Sequence, residues 1–387
     1  MKAQDSPFQF GQIIVPSFFV NREAELERFE TEVKSGLHQI IISPRRWGKS
    51  SFVRKASSDM QKDPKIVFCF IDLFLIRSEQ DFYENLVNEV VKCTHTKIDE
   101  LKVTLSKFLS KLSPKISLSP DLNNSFDIDF NWEPNEPSIL EALNLAEKIA
   151  AKKGLRLVVC LDEFQNISSF TNPTAFQKVL RSQWQLHKNV TYCMYGSKRS
   201  IMTTMFNSKS MPFYRFGTQI YLEKIDTTPF VAYIIRQFAS TQKTISEKWA
   251  TAVVELMENH PYYVQQFGHF VWMNTKNKVS SKTVHRAIEQ LFKQNLILFQ
   301  RDFEQLSTQQ INVLKMLCDE NIKHPTGKMA IKKYNLNSSA NVLRALEGLE
   351  TKEIIDRFTL KTEFVDPGFK LWVKTQIFRP LQLIDIC

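Results

Sequence analysis

A chain of 387 residues with 43% hydrophobic and 24% charged side chains holds enough apolar material for two or three packed domains, yet no run of apolar residues long enough to span a bilayer. Its opening, "MKAQDSPFQFGQ", lacks the apolar centre of a signal peptide, and its six cysteines are scattered without a C-x-x-C pair, so a reducing, cytoplasmic location is expected and neither a zinc site nor a disulfide framework is indicated. The net charge of +10 favours phosphate-rich partners, but the basic residues are spread rather than gathered, which permits such a partner without naming one.

In chain order, "FFVNREAELERFET" reads as a charged amphipathic helix with Asn21 as its N-cap. Gln39–Ile42 reads as a buried strand, a polar loop follows, and Ser51 to Met60 reads as a helix carrying Phe52, Val53 and Ala56. "KIVFCFIDLF" is a further buried strand, with helix expected over 78–110. The Ser-, Asn-, Asp- and Pro-rich stretch at about 111–137 reads as an insertion, within which "SFDIDF" alternates as an edge strand or hairpin does. Helix 138–153, the strand in "LRLVVCLDEFQNI", helix 173–187 and the strand "VTYCMYGSK" continue the alternation, and "TQIYLEKIDTTPF" closes it with a short strand and a helix start. Strand alternating with helix implies α/β architecture, a parallel sheet with helices on both faces. Helices expected at 229–241, 245–258, 261–274 and 280–299 then form a bundle. The closing order, helix in "STQQINVLKMLCD", helix in "SSANVLRALEGLETKEIIDR" and two strands toward "FTLKTEFVDPGFKLWVK", is that of a winged helix. The expected domains are 1–220, 221–300 and 301–387.

Chemistry is concentrated in "IIISPRRWGKSSF". A phosphate-binding loop of pattern G-x-x-x-x-G-K-[ST] wraps the β-phosphate with backbone N–H groups, sends its lysine to the β- and γ-phosphates and its hydroxyl to Mg2+. Here Ser43 stands in place of the first glycine, while Gly48, Lys49 and Ser50 keep the register. Pro44, Trp47 and Ser51 belong to the same candidate loop, and Arg45 and Arg46 are left open between phosphate and a partner. Three cations beside one helix N-terminus, where the helix dipole already disfavours positive charge, call for an anion. Asp162 and Glu163 close the apolar strand "LRLVVC", at the sheet edge where open α/β folds bind ligands. Asp162 would hold Mg2+ and Glu163 would act as general base toward water, with a helix cap as the alternative for the pair.

With "FFVNREAELERF", "SPRRWGKSS", "LVVCLDEFQNI", "YCMYGSKRSIM", "MPFYRFGTQIYLEKI", "NHPYYVQQFG" and "FVDPGFKLWV" in order, nearly the whole chain resembles the AAA+/STAND-related P-loop ATPases of the archaeal-type (MNS clade) family. The resemblance implies a P-loop NTPase core, a helical lid and a C-terminal winged-helix domain, with ATP and Mg2+ as cofactors. It makes "SPRRWGKSS" the Walker A loop and "LVVCLDEFQNI" the Walker B strand. It places Ser197 at the first sensor position, Arg215 where a basic residue reaches a neighbouring subunit's γ-phosphate, and His260 at a lid turn that contacts nucleotide. For Ser197 and His260 a helix cap remains the alternative, and for Arg215 a local salt bridge. A homo-oligomer, and DNA or a protein partner on the winged helix, are compatible with it; a membrane is not expected. Three functions fit: an ATPase coupling nucleotide state to winged-helix movement, a slowly hydrolysing STAND-type switch, and a winged-helix DNA-binding regulator with weak ATPase.

Overall fold

The computed structural model describes residues 5–14, 18–95, 114–118, 126–130, 136–319, 322, 324–357 and 362–378. Four consecutive residues of "QIII" are all buried and form strand β1, Gln39–Ile42. Burial on both sides follows from their contacts, since Ile40 and Ile42 join one apolar cluster and Ile41 the other. The same alternation runs through β5, Arg156–Asp162, whose Val159 and Leu161 face the first cluster and Val158 and Cys160 the second. Together with β2 (Ile66–Asp72), β6 (Val190–Gly196) and β7 (Thr218–Tyr221) these strands form a five-stranded sheet of order β2-β5-β6-β1-β7, parallel throughout. β6 therefore lies between the loop strand β1 and the carboxylate strand β5, with Ile42 opposite Gly196 and Leu161 opposite Met194.

Helices Lys49–Met60, Glu79–Thr94, Glu136–Lys153, Pro173–Trp184 and Arg199–Asn207 connect the strands. The helix expected over 78–110 starts as anticipated, where the Ser78 hydroxyl accepts from the Asp81 N–H, but it stops at Thr94, because His95 is extended; residues 96–113 lie outside the described residues. "SFDIDF" contributes β4, Phe126–Phe130, paired antiparallel with β3, Pro114–Leu118, as a separate ribbon. Asn21 is not the cap of the first helix, Glu23–Lys34. Arg22 holds that position with φ 79°, and its buried guanidinium donates to Glu25 Oε1 and to the Glu223 carbonyl. Asn21 before it is left-handed as well, at φ 57°.

Described residues 18–223 form one compact unit, and 5–14 with 224–378 form the other. The opening segment thus belongs with the helical unit, whereas the sequence grouped it with the sheet. Phe8 is the physical reason: it meets Tyr233 and Phe238 edge-on and fills the space left by Gly268, where an added Cβ would stand 2.9 Å from its ring. Ser6 and His269 bond beside it at 2.7 Å. The helical unit continues through Thr227–Ser240, Glu247–Leu256, Pro261–Asn274 and Ser281–Glu304 into Thr308–Leu317, Lys328–Lys333 and Ser339–Thr351. A small antiparallel wing follows, β8 (Ile355–Asp356) against β9 (Glu363–Phe364). "DPGFKLW" departs from the expected strand and turns helical over Pro367–Trp372. Asp366 accepts from the Phe369 N–H, proline takes a first-turn position, and Phe369 and Trp372 pack on Phe299.

Trp184 anchors the sheet unit: fully buried, it stacks on Tyr192 with ring centroids 4.0 Å apart. Trp184→Ala is expected to lower stability by about 3–5 kcal/mol in denaturant titration, the loss typical of a large aromatic truncated in a close-packed interior; a loss below ~1 kcal/mol would show that this packing does not hold the unit.

Candidate functional site

The loop after β1 reverses the chain so that a helix begins at Lys49, with Gly48 in the N-cap position at φ 88°. That conformation suits glycine, and Arg46 shares the burden at φ 64°. Ser43, at the place of the absent glycine, is fully buried and is not among the residues with positive φ, so this position asks nothing of the backbone that serine cannot give. No side chain caps the helix start, and a helix N-terminus is where backbone N–H groups and the helix dipole favour an anion.

Lys49 is only 6% exposed, and its Nζ donates to the carbonyls of Ser43 at 3.1 Å and Pro44 at 3.0 Å. Burial pulls its pKa down to about 8, Glu163 and Asp162 oppose the shift, and Arg45 and Arg199 add to it. Ser50 donates through its hydroxyl to Asp162 Oδ2 at 2.7 Å, which joins the loop helix to the end of β5. Asp162 Oδ1 accepts the backbone N–H of Glu163 at 2.8 Å. Burial pushes the Asp162 carboxyl up to about 6; the Ser50 hydrogen bond lowers it, and the neighbouring Glu163 charge raises it further.

Glu163 takes a left-handed backbone, φ 52°, at the entry to a short 3-10 helix, Phe164–Ser169. Its side chain does not cap that helix. Its Oε2 accepts from the Ser197 hydroxyl at 2.8 Å and from the Gln165 amide. Ser197 is accordingly no helix cap either, since Lys198 holds that position for Arg199–Asn207. A left-handed non-glycine residue costs on the order of 1–3 kcal/mol and persists where its surroundings enforce it, commonly at functional sites.

Ser43, Pro44, Gly48, Lys49, Ser50, Asp162, Glu163 and Ser197 thus converge at the C-terminal edge of the sheet. Ser51 is buried in the helix, Trp47 is half-buried, and Arg45 and Arg46 are exposed on the loop. Two further expected residues make contacts of their own. Arg215 is exposed at φ 51°, with its N–H on the Phe206 carbonyl and its guanidinium 5.3 Å from the Tyr214 ring. His260 belongs to the helical unit, where its Nδ1 accepts from the Tyr262 N–H at 3.3 Å and starts the helix Pro261–Asn274. Gln165 escaped the reading of individual residues although "DEFQ" carried it. Among the described residues no group of three or more His, Cys, Asp or Glu side chains could hold a metal. Ser50 and Asp162 instead offer a hydroxyl and a desolvated carboxylate side by side, two hard oxygens that suit Mg2+, an ion that takes its remaining ligands from phosphate and water.

A family model described as "Probable winged helix domain" matches residues 297–375. Among solved structures the chain is similar to a Walker-type ATPase of Pyrococcus abyssi, at 17% identity and a TM-score of 0.59, with 92% of this chain and 96% of that one covered. It is also similar to the ORC2 protein of Aeropyrum pernix in its ADPNP–ADP complexes, at 12% identity and a TM-score of 0.55, with 98% of each chain covered. No curated protein matches it in sequence. The fold is that of the AAA+ P-loop ATPases, a parallel five-stranded sheet with helices, followed by a winged-helix domain. No helix among the described residues is long and apolar enough to cross a membrane.

The raised pKa of Asp162 has a measurable sign. Between the ordinary 3.8 and about 6 the folded chain keeps a proton that the unfolded chain has lost, so stability falls as pH rises through that window. Asp162→Asn is therefore expected to be more stable than the wild type at pH 7, by roughly 2 kcal/mol, with the gain shrinking toward zero near pH 4. Paired denaturant titrations at the two pH values check this, and an equal gain at both would show that burial of the charge is not its source.

Proposed function

We propose that this chain is a Mg2+-dependent ATP-binding protein and ATPase of the archaeal-type (MNS clade) group, coupling its nucleotide state to movement of the winged-helix domain. The observation that carries the proposal is the meeting of Lys49 and Ser50, at a helix start, with Asp162 and Glu163, at a strand end, inside a P-loop ATPase fold. The N-terminal turn of the loop helix receives the β-phosphate, and Lys49 leaves the Ser43 and Pro44 carbonyls to pair with the β- and γ-phosphates. Ser50 and Asp162 hold Mg2+, which supplies neutralisation of phosphate charge when bound. Glu163 orients the attacking water and takes its proton, and Ser197 holds the Glu163 carboxylate.

Lys49→Ala is expected to abolish ATP binding in isothermal titration. Glu163→Gln is expected to keep binding and to lose turnover by roughly 10²-fold or more, the usual contribution of a general base. Hydrolysis by Glu163→Gln at the wild-type rate would remove Glu163 from the role of base. The wild-type turnover number in the same assay separates a working ATPase from a slowly hydrolysing switch.

A second reading, DNA contact through the winged helix, draws on one observation. An open groove of about 600 Å3 runs along Lys328, Lys332, Asn335 and Asn337 to Ser338 and Ser339, at the start of helix Ser339–Thr351. Lys333 is engaged elsewhere, 2.6 Å from Asp319. Duplex binding followed by fluorescence anisotropy across a salt series is expected to weaken with salt, and Lys328→Ala and Lys332→Ala to reduce the slope by about one unit each. Undetectable binding at low ionic strength would leave a protein partner as the occupant of this domain.

A further inference from the structure

We infer that Gln165 is the positioning residue of the hydrolytic site: with Ser197 it fixes the Glu163 carboxylate by Oε2 and leaves Oε1 for the attacking water. The inference rests on the ATPase reading above. Both hydrogen bonds that the described residues give this carboxylate end on Oε2, one from Ser197 Oγ at 2.8 Å and one from Gln165 Nε2. A single donor would let the carboxylate swing about that bond. Two donors, one from the end of β6 and one from the turn after β5, define its plane.

Gln165 is 3% exposed, and its Oε1 is buried without a hydrogen-bond partner among the described residues. A carboxylate only accepts, so the amide must turn its NH2 edge to Glu163, and its oxygen is then left toward Gly196. A Cβ added at Gly196 would stand 1.9 Å from that oxygen and 2.9 Å from Met202 Sδ, so the amide occupies the volume that a side chain at 196 would take. Leaving a buried acceptor unpaired destabilises the fold, and a methionine of similar length would fill the space without that loss. Packing therefore does not account for an amide here. Donation to Glu163 does.

The test is Gln165→Met, measured by steady-state and single-turnover ATP hydrolysis, nucleotide titration and thermal unfolding of the full chain. Turnover is expected to fall roughly tenfold, as for loss of one hydrogen bond to a charged group, with ATP affinity unchanged and the unfolding midpoint held or raised. In the Glu163→Gln background the same substitution is expected to cause no further loss, which a purely structural role would not reproduce. Gly196→Ala, which displaces the amide without altering it, is expected to lower turnover likewise. If Gln165→Met folds poorly, Gln165→Asn, with the amide drawn back by one methylene, is expected to show the turnover loss in a stable chain. Wild-type turnover in Gln165→Met, with Glu163→Gln inactive, overturns the inference and leaves the ATPase reading intact. An inactive wild type, or a fully active Glu163→Gln, overturns both.

Discussion

The hydrogen bond from Ser50 to Asp162 has to cross a strand. β1 and β5 are not neighbours, and with β6 between them their axes lie roughly 10 Å apart. A bond of 2.7 Å between their extensions exists because the helix after β1 begins within two residues of Gly48 and leans its second residue across the end of β6. β6 ends there on Gly196, and the space a side chain would take is filled by the Gln165 amide. Strand order and the left-handed turn at Gly48 are two parts of one geometric requirement, and Lys49, Asp162, Glu163 and Ser197 take their places from it.

The same geometry sets the electrostatics. Burial moves Lys49 down and Asp162 up, two shifts that both disfavour the charged forms in which these groups would work. Within the chain, loop carbonyls accept from Lys49, Asp162 accepts from Ser50, and Glu163 accepts from Ser197 and Gln165. These internal bonds moderate the cost of desolvation without removing it, and a bound polyanion and cation would compensate both shifts together. A site held at the expense of fold stability is what a preorganised binding centre requires.

The sheet was legible because its strands are apolar on both faces, a pattern that few other elements share, and Gly48, Lys49 and Ser50 stood out because their register is that of a phosphate-binding motif. The conformation of Glu163 was not, since nothing in "DEFQ" announces a left-handed glutamate; tertiary bonding to Ser197 and Gln165 accompanies it. Ser43 departs from the pattern without backbone strain, because its φ is not in the left-handed region. Asn21 carried the stronger capping propensity and lost to Arg22, whose long-range bond to the Glu223 carbonyl no local rule contains. The helix Pro367–Trp372 was misread for the opposite reason: Asp-Pro announced a helix start, and the expectation of a wing outweighed it.

Phe8 bears on how the chain is made. Its aromatic partners Tyr233 and Phe238 lie roughly 220 residues further along, with the whole sheet unit encoded between them. At about 5–20 residues per second a ribosome needs on the order of ten to forty seconds to deliver those partners. During that interval Phe8 and Phe10 have no surface of their own unit to bury against, while the sheet unit can already collapse. The order of synthesis therefore places completion of the helical unit last.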